Sequence, residues 1–160
     1  MPSLVGSEMC IRDSVHDETA CFFGGVQGNA GLFSNANDLA KLCQMWLNKG
    51  TYGNERILSP KTVELFLTEK SSTSRRGLGF DKPDMENPEK SPTAIEASAS
   101  TIGHLGFTGT CFWIDPEQEL IYIFLCNRVY PSRTHGALSQ LNIRPELFST
   151  IYRSIKNHSK

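Results

Sequence analysis

The residues best suited to chemistry lie in one run, Ile102-Gly103-His104-Leu105-Gly106-Phe107-Thr108-Gly109. An imidazole changes charge near neutral pH and both donates and accepts hydrogen bonds, so His104 is a candidate for modulating charge in a site. Taken alone, a strand histidine is better explained by hydrogen bonds to its neighbours. His16, His135 and His158 have no comparable context and are expected at the surface or in loops. Five cysteines (Cys10, Cys21, Cys43, Cys111, Cys126) lie far apart, with no C-x-x-C and no Cys/His cluster. That spacing argues against a metal centre or a disulfide framework and for small buried apolar side chains. The Gly24–Ser34 segment is glycine-rich but lacks the Lys-Ser/Thr ending of a phosphate loop. It reads as a loop threaded against other structure.

The elements that must hold this run are legible around it. An apolar strand, Thr110 to Ile114, is followed by the turn Asp115-Pro116-Glu117-Gln118-Glu119 and a second apolar strand, Leu120 to Cys126, ending at Asn127-Arg128. Upstream, Asn35 caps a helix whose Leu39, Leu42, Cys43 and Trp46 form one apolar stripe, closed by Asn48-Lys49-Gly50. Ser59 and Pro60 open a short second helix with Val63, Phe66 and Leu67 on its buried side. Arg75-Arg76 is expected to be solvated, Asp81 to Ser100 to be a long exposed loop, and Pro131 to Gln140 a polar connection. The last helix begins near Arg144 and buries Ile143, Leu147, Phe148, Ile151 and Ile155.

In this order the run resembles the third signature of the penicillin-recognising serine hydrolases: class C β-lactamases, D-Ala-D-Ala peptidases and related esterases. There a Lys/His-Thr/Ser-Gly triplet lies on a strand beside the nucleophile, a Thr-Gly follows, and a hairpin returns to Asn-Lys/Arg. Here His104-Leu105-Gly106, Thr108-Gly109 and Asn127-Arg128 take those places. The Gly-Gly-Val-x-Gly-x-Ala-Gly-Leu-Phe-Ser block with its Asp-Leu-Ala helix is similar to the same family, so two blocks match in the right order. The ending from Leu120 to Arg133, with Gln140 to Arg144, also resembles serine-hydrolase domains of Bacteroidota, some fused behind a family-three glycoside hydrolase. No Ser-x-x-Lys nucleophile motif occurs in the sequence, and no Tyr-x-Asn precedes the Gly-rich block.

The resemblance implies an α+β fold, a partial β-lactamase/transpeptidase-like domain with an antiparallel sheet and packed helices. It implies acyl-enzyme hydrolysis of an ester, amide or β-lactam by the complete enzyme, without a cofactor or metal. The Phe107 backbone N–H would be one oxyanion donor, and His104 would stand near the nucleophile's hydrogen-bond network. Gly106 would keep the strand edge open for substrate, with Leu105, Thr108 and Gly109 also in the substrate site. Leu105 departs from the usual Thr or Ser, whose hydroxyl helps hold a substrate carboxylate. An ester or amide lacking that carboxylate therefore gains ground. The partners implied are an acyl substrate or cell-wall peptide and the N-terminal half of the same domain, in the periplasm or cell envelope. The strand Leu120 to Cys126 would pair on its far side with a strand from that half. The rivals are a non-catalytic module that holds cell-wall peptide and a self-contained structural domain.

Composition agrees with a folded domain: 160 residues, 39% apolar, net charge −1. No basic stripe suggests nucleic acid, and no segment is long and apolar enough to span a bilayer. Met1 to Ser14 resembles a translated sequencing adaptor and is set apart from the domain at 15–160, with the gene expected to continue upstream.

Overall fold

The apolar runs that follow Gly109 fold as a hairpin because every residue of both strands finds a partner. Strand β4 (Cys111–Asp115) and strand β5 (Leu120–Phe124) pair antiparallel, with Trp113 opposite Tyr122. Strand β3 (Ile102–Leu105) takes the other edge of β4 and sets His104 opposite Phe112. The sheet order is β3-β4-β5. The computed structural model describes residues 15–68 and 71–158; the adaptor-like Met1 to Ser14, with Cys10, lies outside them.

Successive side chains point to opposite faces of the sheet, and each face meets a helix. On one side Cys111, Trp113 and Tyr122 cluster with Phe148 and Tyr152 of α5 (Ile143–His158). The Tyr122 and Phe148 rings stack with centroids 4.5 Å apart, and the Tyr122 hydroxyl donates to the Arg144 carbonyl at 3.2 Å. On the other side Ile102 and Ile114 meet Cys43 of α2 (Ala36–Leu47), with Ile121 and Ile123 packed beside them. The architecture is α+β, an antiparallel sheet between helices. Among the described residues no helix is long and apolar enough to cross a membrane.

Helix α2 begins where its cap is. Asn35 accepts from the Asp38 N–H at 3.1 Å and returns its own amide to the Asp38 carboxylate at 2.7 Å. It stops at Gly50, whose φ of +91° carries the chain out of the helix while its N–H donates to Met45 O. Helix α3 (Pro60–Thr68) starts after Ser59, whose hydroxyl accepts from the Thr62 N–H at 3.0 Å.

Several expectations change. The segment Val15–Ser34 is not all loop: Asp17 caps a short helix α1 (Glu18–Phe22) by accepting from the Ala20 N–H at 2.7 Å. A two-strand hairpin, β1 (Thr51–Tyr52) with β2 (Glu55–Arg56), follows α2. Its turn spells Tyr52-Gly53-Asn54, a Tyr-x-Asn that lies on a hairpin downstream of the Gly-rich block. Leu42 is 43% exposed while Met45 is buried, so the α2 stripe is rotated by part of a turn from the predicted one. In α5, Phe148 and Tyr152 are buried, but Leu147, Ile151 and Ile155 are exposed.

The stretch after Asp81 is no simple exposed loop. Asp81, Lys82, Ser91, Thr93, Ala94 and Ala97 are buried, because Asp81 pairs with Gly103 across the outer edge of β3 and the alanines join the α5 cluster. The Arg75-Arg76 pair is correspondingly not simply solvated. Arg75 grips the buried Asp81 carboxylate through Nε at 2.8 Å and Nη2 at 3.0 Å. The polar connection from Pro131 also holds a short helix, α4 (Ala137–Gln140).

Candidate functional site

A cleft of about 660 Å³ opens on the α2 side of the sheet, between the end of β3 and the Gly-rich segment. His104, Leu105, Gly106, Phe107 and Thr108 line it, with His16, Leu39, Leu42 and Gly28–Leu32 on the opposing wall. Gly109 does not: at φ +108°, it packs where an added Cβ would lie 2.5 Å from Cys126 Sγ and 3.0 Å from Leu138.

The geometry starts from the turn that ends β3. Gly106 N–H donates to Thr110 O at 2.7 Å, and Gly109 N–H donates back to Gly106 O at 3.0 Å. That closes a four-residue turn with Phe107 and Thr108 at its tip. Among the described residues no acceptor takes the Phe107 N–H. A Cβ on Gly106 would lie 2.3 Å from Thr110 Oγ1, so the glycine has a local steric reason in addition to the one expected from substrate approach. Leu105 lines the cleft and also packs against the α5 cluster.

His104 is half-buried and held at both ring nitrogens. Its Nδ1 lies 2.9 Å from the Leu105 carbonyl, which only accepts, so Nδ1 carries the proton. Its Nε2 lies 3.1 Å from Arg76 Nη1, a donor, and so offers its lone pair. The two contacts together fit the neutral Nδ1–H tautomer. Arg76 is anchored in turn beside Asp81, with Nη2 3.9 Å from Oδ2. A chain of contacts thus runs from the buried carboxylate at the edge of β3 to the imidazole in the cleft.

Sequence reasoning placed His16 at the surface or in a loop; it does lie in the irregular segment before α1, and there it forms part of the cleft wall. Its ring stacks on Phe107, with centroids 5.6 Å apart and planes 18° from parallel. Its Nε2 is buried with no hydrogen-bond partner among the described residues. No local signal announced this contact, which joins residues far apart in the chain. Arg128 was marked only as the end of the hairpin, yet its guanidinium carbon lies 4.4 Å from the Phe107 centroid.

The described cysteines are all free thiols. Burial raises the Cys111 thiol to about 12, so it stays protonated and inert beside the site. Among the described residues no group of His, Cys, Asp and Glu is arranged to hold a metal ion.

The family profile described as Beta-lactamase matches residues 6–143. The chain therefore belongs to the β-lactamase family, and its α+β sheet with flanking helices is a part of that fold. The matched span begins within the segment that was set apart from the domain on sequence grounds. A Salmonella paratyphi B protein named "Putative D-alanyl-D-alanine carboxypeptidase" is 38% identical over 84% of this chain and 30% of its own length. A Salmonella newport protein of the same name matches to the same extent. The chain thus spans less than a third of those relatives. A solved β-lactamase from Mycobacterium bovis is 20% identical with a TM-score of 0.49, covering 69% of this chain and 46% of that one.

Proposed function

We propose that the chain is the C-terminal portion of a serine hydrolase and supplies one wall of an acyl-transfer site. The unpartnered Phe107 N–H, on a hydrogen-bonded turn in the same cleft as His104, carries this reading. In acyl transfer a serine Oγ attacks the carbonyl carbon, the carbonyl π electrons move to oxygen, and preorganised donors stabilise the oxyanion. Phe107 N–H is one such donor. The nucleophile and its base come from polypeptide that precedes these residues in the whole protein, since this sequence holds no Ser-x-x-Lys.

Gly106 and Leu105 offer the strand edge along which substrate lies, and Thr108 and Gly109 shape the turn beside it. His104, held as the neutral tautomer, adds a polar group at the cleft floor without adding charge. The substrate class is an acyl compound, with cell-wall peptide favoured by the names of the Salmonella relatives. The same names favour the cell envelope as the place of action. Leu105 brings no hydroxyl to a substrate carboxylate, which favours esters and amides without one.

The test uses the full-length protein. Gly106→Ala lowers phosphonylation by a fluorophosphonate probe and acylation by a chromogenic ester by about 10²–10³-fold, the typical effect of disabling one oxyanion donor. The double variant Gly106→Ala/Thr110→Ala relieves the clash with Thr110 and stays inactive, because the added methyl still blocks the strand edge. Recovery of wild-type rate in the double variant would make Gly106 a packing residue only and sink the assignment. The 160-residue chain alone is expected to show no labelling of any serine.

A further inference from the structure

We propose that Arg128 is a positioning residue that fixes the Phe107 peptide for oxyanion binding; the inference rests on the oxyanion reading above. Arg128 Nε donates to the Phe107 carbonyl at 2.7 Å, and its guanidinium carbon sits 4.4 Å from the ring centroid of the same residue. Its backbone N–H donates to Thr108 O at 2.9 Å, tying the end of the hairpin to the next peptide of the turn. The guanidinium is itself pinned, because Nη1 donates to the carbonyls of Arg133 at 3.3 Å and His135 at 3.2 Å.

These contacts act on the right atoms. The unpartnered Phe107 N–H belongs to the planar Gly106–Phe107 peptide, whose carbonyl is bound by Gly109 N–H. The next plane, Phe107–Thr108, is bound at its carbonyl by Arg128. With both planes held, the two free torsions of Phe107 are set and its N–H direction is fixed. Only a side chain with several donors spread across a rigid plane reaches all of these points, which lysine does not. Besides this turn, Arg128 meets the cleft lining only at the Arg133 carbonyl among the described residues, and the contacts that reach the Phe107 peptide are those to the turn.

The experiment compares Arg128→Met and Arg128→Lys in the full-length hydrolase, alongside Gly106→Ala/Thr110→Ala. Arg128→Met keeps the aliphatic stem and loses the fork. It is expected to lower kcat for a chromogenic ester by roughly 10–100-fold, the scale of a small misplacement of a catalytic group. KM stays near the wild-type value, because the donor works in the transition state. The affinity for a boronic acid, which mimics the tetrahedral oxyanion, falls by the same factor as kcat. Arg128→Lys recovers part of both losses, and it carries the measurement if Arg128→Met does not fold. Wild-type kcat in a folded Arg128→Met, or a kcat loss with unchanged boronate affinity, would overturn the role. If the Gly106 double variant is inactive while Arg128→Met is fully active, the positioning inference alone fails. If the double variant is active, the oxyanion reading fails first.

Discussion

At one end of the three-stranded sheet a buried carboxylate is saturated with donors, and at the other an amide and an imidazole nitrogen have no partner among the described residues. Asp115, at the β4–β5 turn, is fully buried and accepts from Tyr152 Oη at 2.5 Å and Ser98 Oγ at 2.7 Å. The Ser98, Glu117 and Gln118 N–H groups donate to it as well. Phe107, at the β3–β4 turn, is 59% exposed, with its N–H and the His16 Nε2 unpaired among the described residues. A buried group must be satisfied or it costs stability, so the Asp115 end holds helix α5, the Ser98 turn and the hairpin together. A group kept open at a cleft is available for a ligand. The same strands thus separate a satisfied end from an open one by their length.

That separation is broken most strongly by Asp115→Ala. The buried Tyr152 hydroxyl and the half-buried Ser98 hydroxyl lose their acceptor, at about 1–3 kcal/mol for the buried one and less for the other, so the loss in urea unfolding should reach about 2 kcal/mol or more. Phe107→Ala, at the exposed end, should cost less than half of that by the same measurement. Equal losses at the two ends would end the contrast.

Tyr152→Phe sharpens it through pH. Burial disfavours the Asp115 charge, but the hydrogen bonds from Tyr152 and Ser98 outweigh it and hold the carboxyl below the ordinary aspartate value. Burial and the neighbouring carboxylate push the Tyr152 phenol up, so it stays a donor throughout. A carboxyl depressed in the folded state contributes stability above its unfolded pKa of about 3.9, and loses it as pH falls through the folded value. Tyr152→Phe should cost about 1.5–3 kcal/mol at neutral pH, and the deficit should shrink below about pH 4. A deficit independent of pH would show that the phenol packs but does not stabilise the charge.

The smallest effect is expected at Leu105, which belongs to both regions. Leu105→Thr should raise turnover of carboxylate-bearing β-lactams relative to simple esters in the full-length protein, by a factor that one added hydrogen bond of about 0.5–1.5 kcal/mol allows. It should also lose some packing against the α5 cluster. An unchanged ratio of the two activities removes the specificity argument.

The parts of this design that the sequence discloses are those with local causes. Asn35 and Ser59 cap the helices predicted from them, and the hairpin strands fall within two residues of their expected ends. The run from His104 to Thr108 lines one cleft as a contiguous segment must, since a strand end and its turn travel together. What stayed hidden depends on distant partners. Asp81 is buried because it pairs with Gly103, and that pairing draws Arg75 and Arg76 inward. His16 stacks on a ring contributed from the far side of the chain. Helix α1 is only five residues long, too short for an apolar period to emerge, although Asp17 supplied its cap.

Strand β5 has one partner among the described residues, and its free edge carries a definite phase. Leu120, Tyr122 and Phe124 face the aromatic cluster of α5, while Ile121 and Ile123 face the aliphatic cluster of α2. A shift by one residue would exchange the two sets and bury the Tyr122 hydroxyl away from Arg144 O. The two helices therefore act as a ruler for whatever strand is added next. Such a strand must read as apolar on both faces, and it inherits its alternation from β5. A strand added at this edge would meet side chains whose two phases are already assigned, Tyr122 and Phe124 on one face and Ile121 and Ile123 on the other.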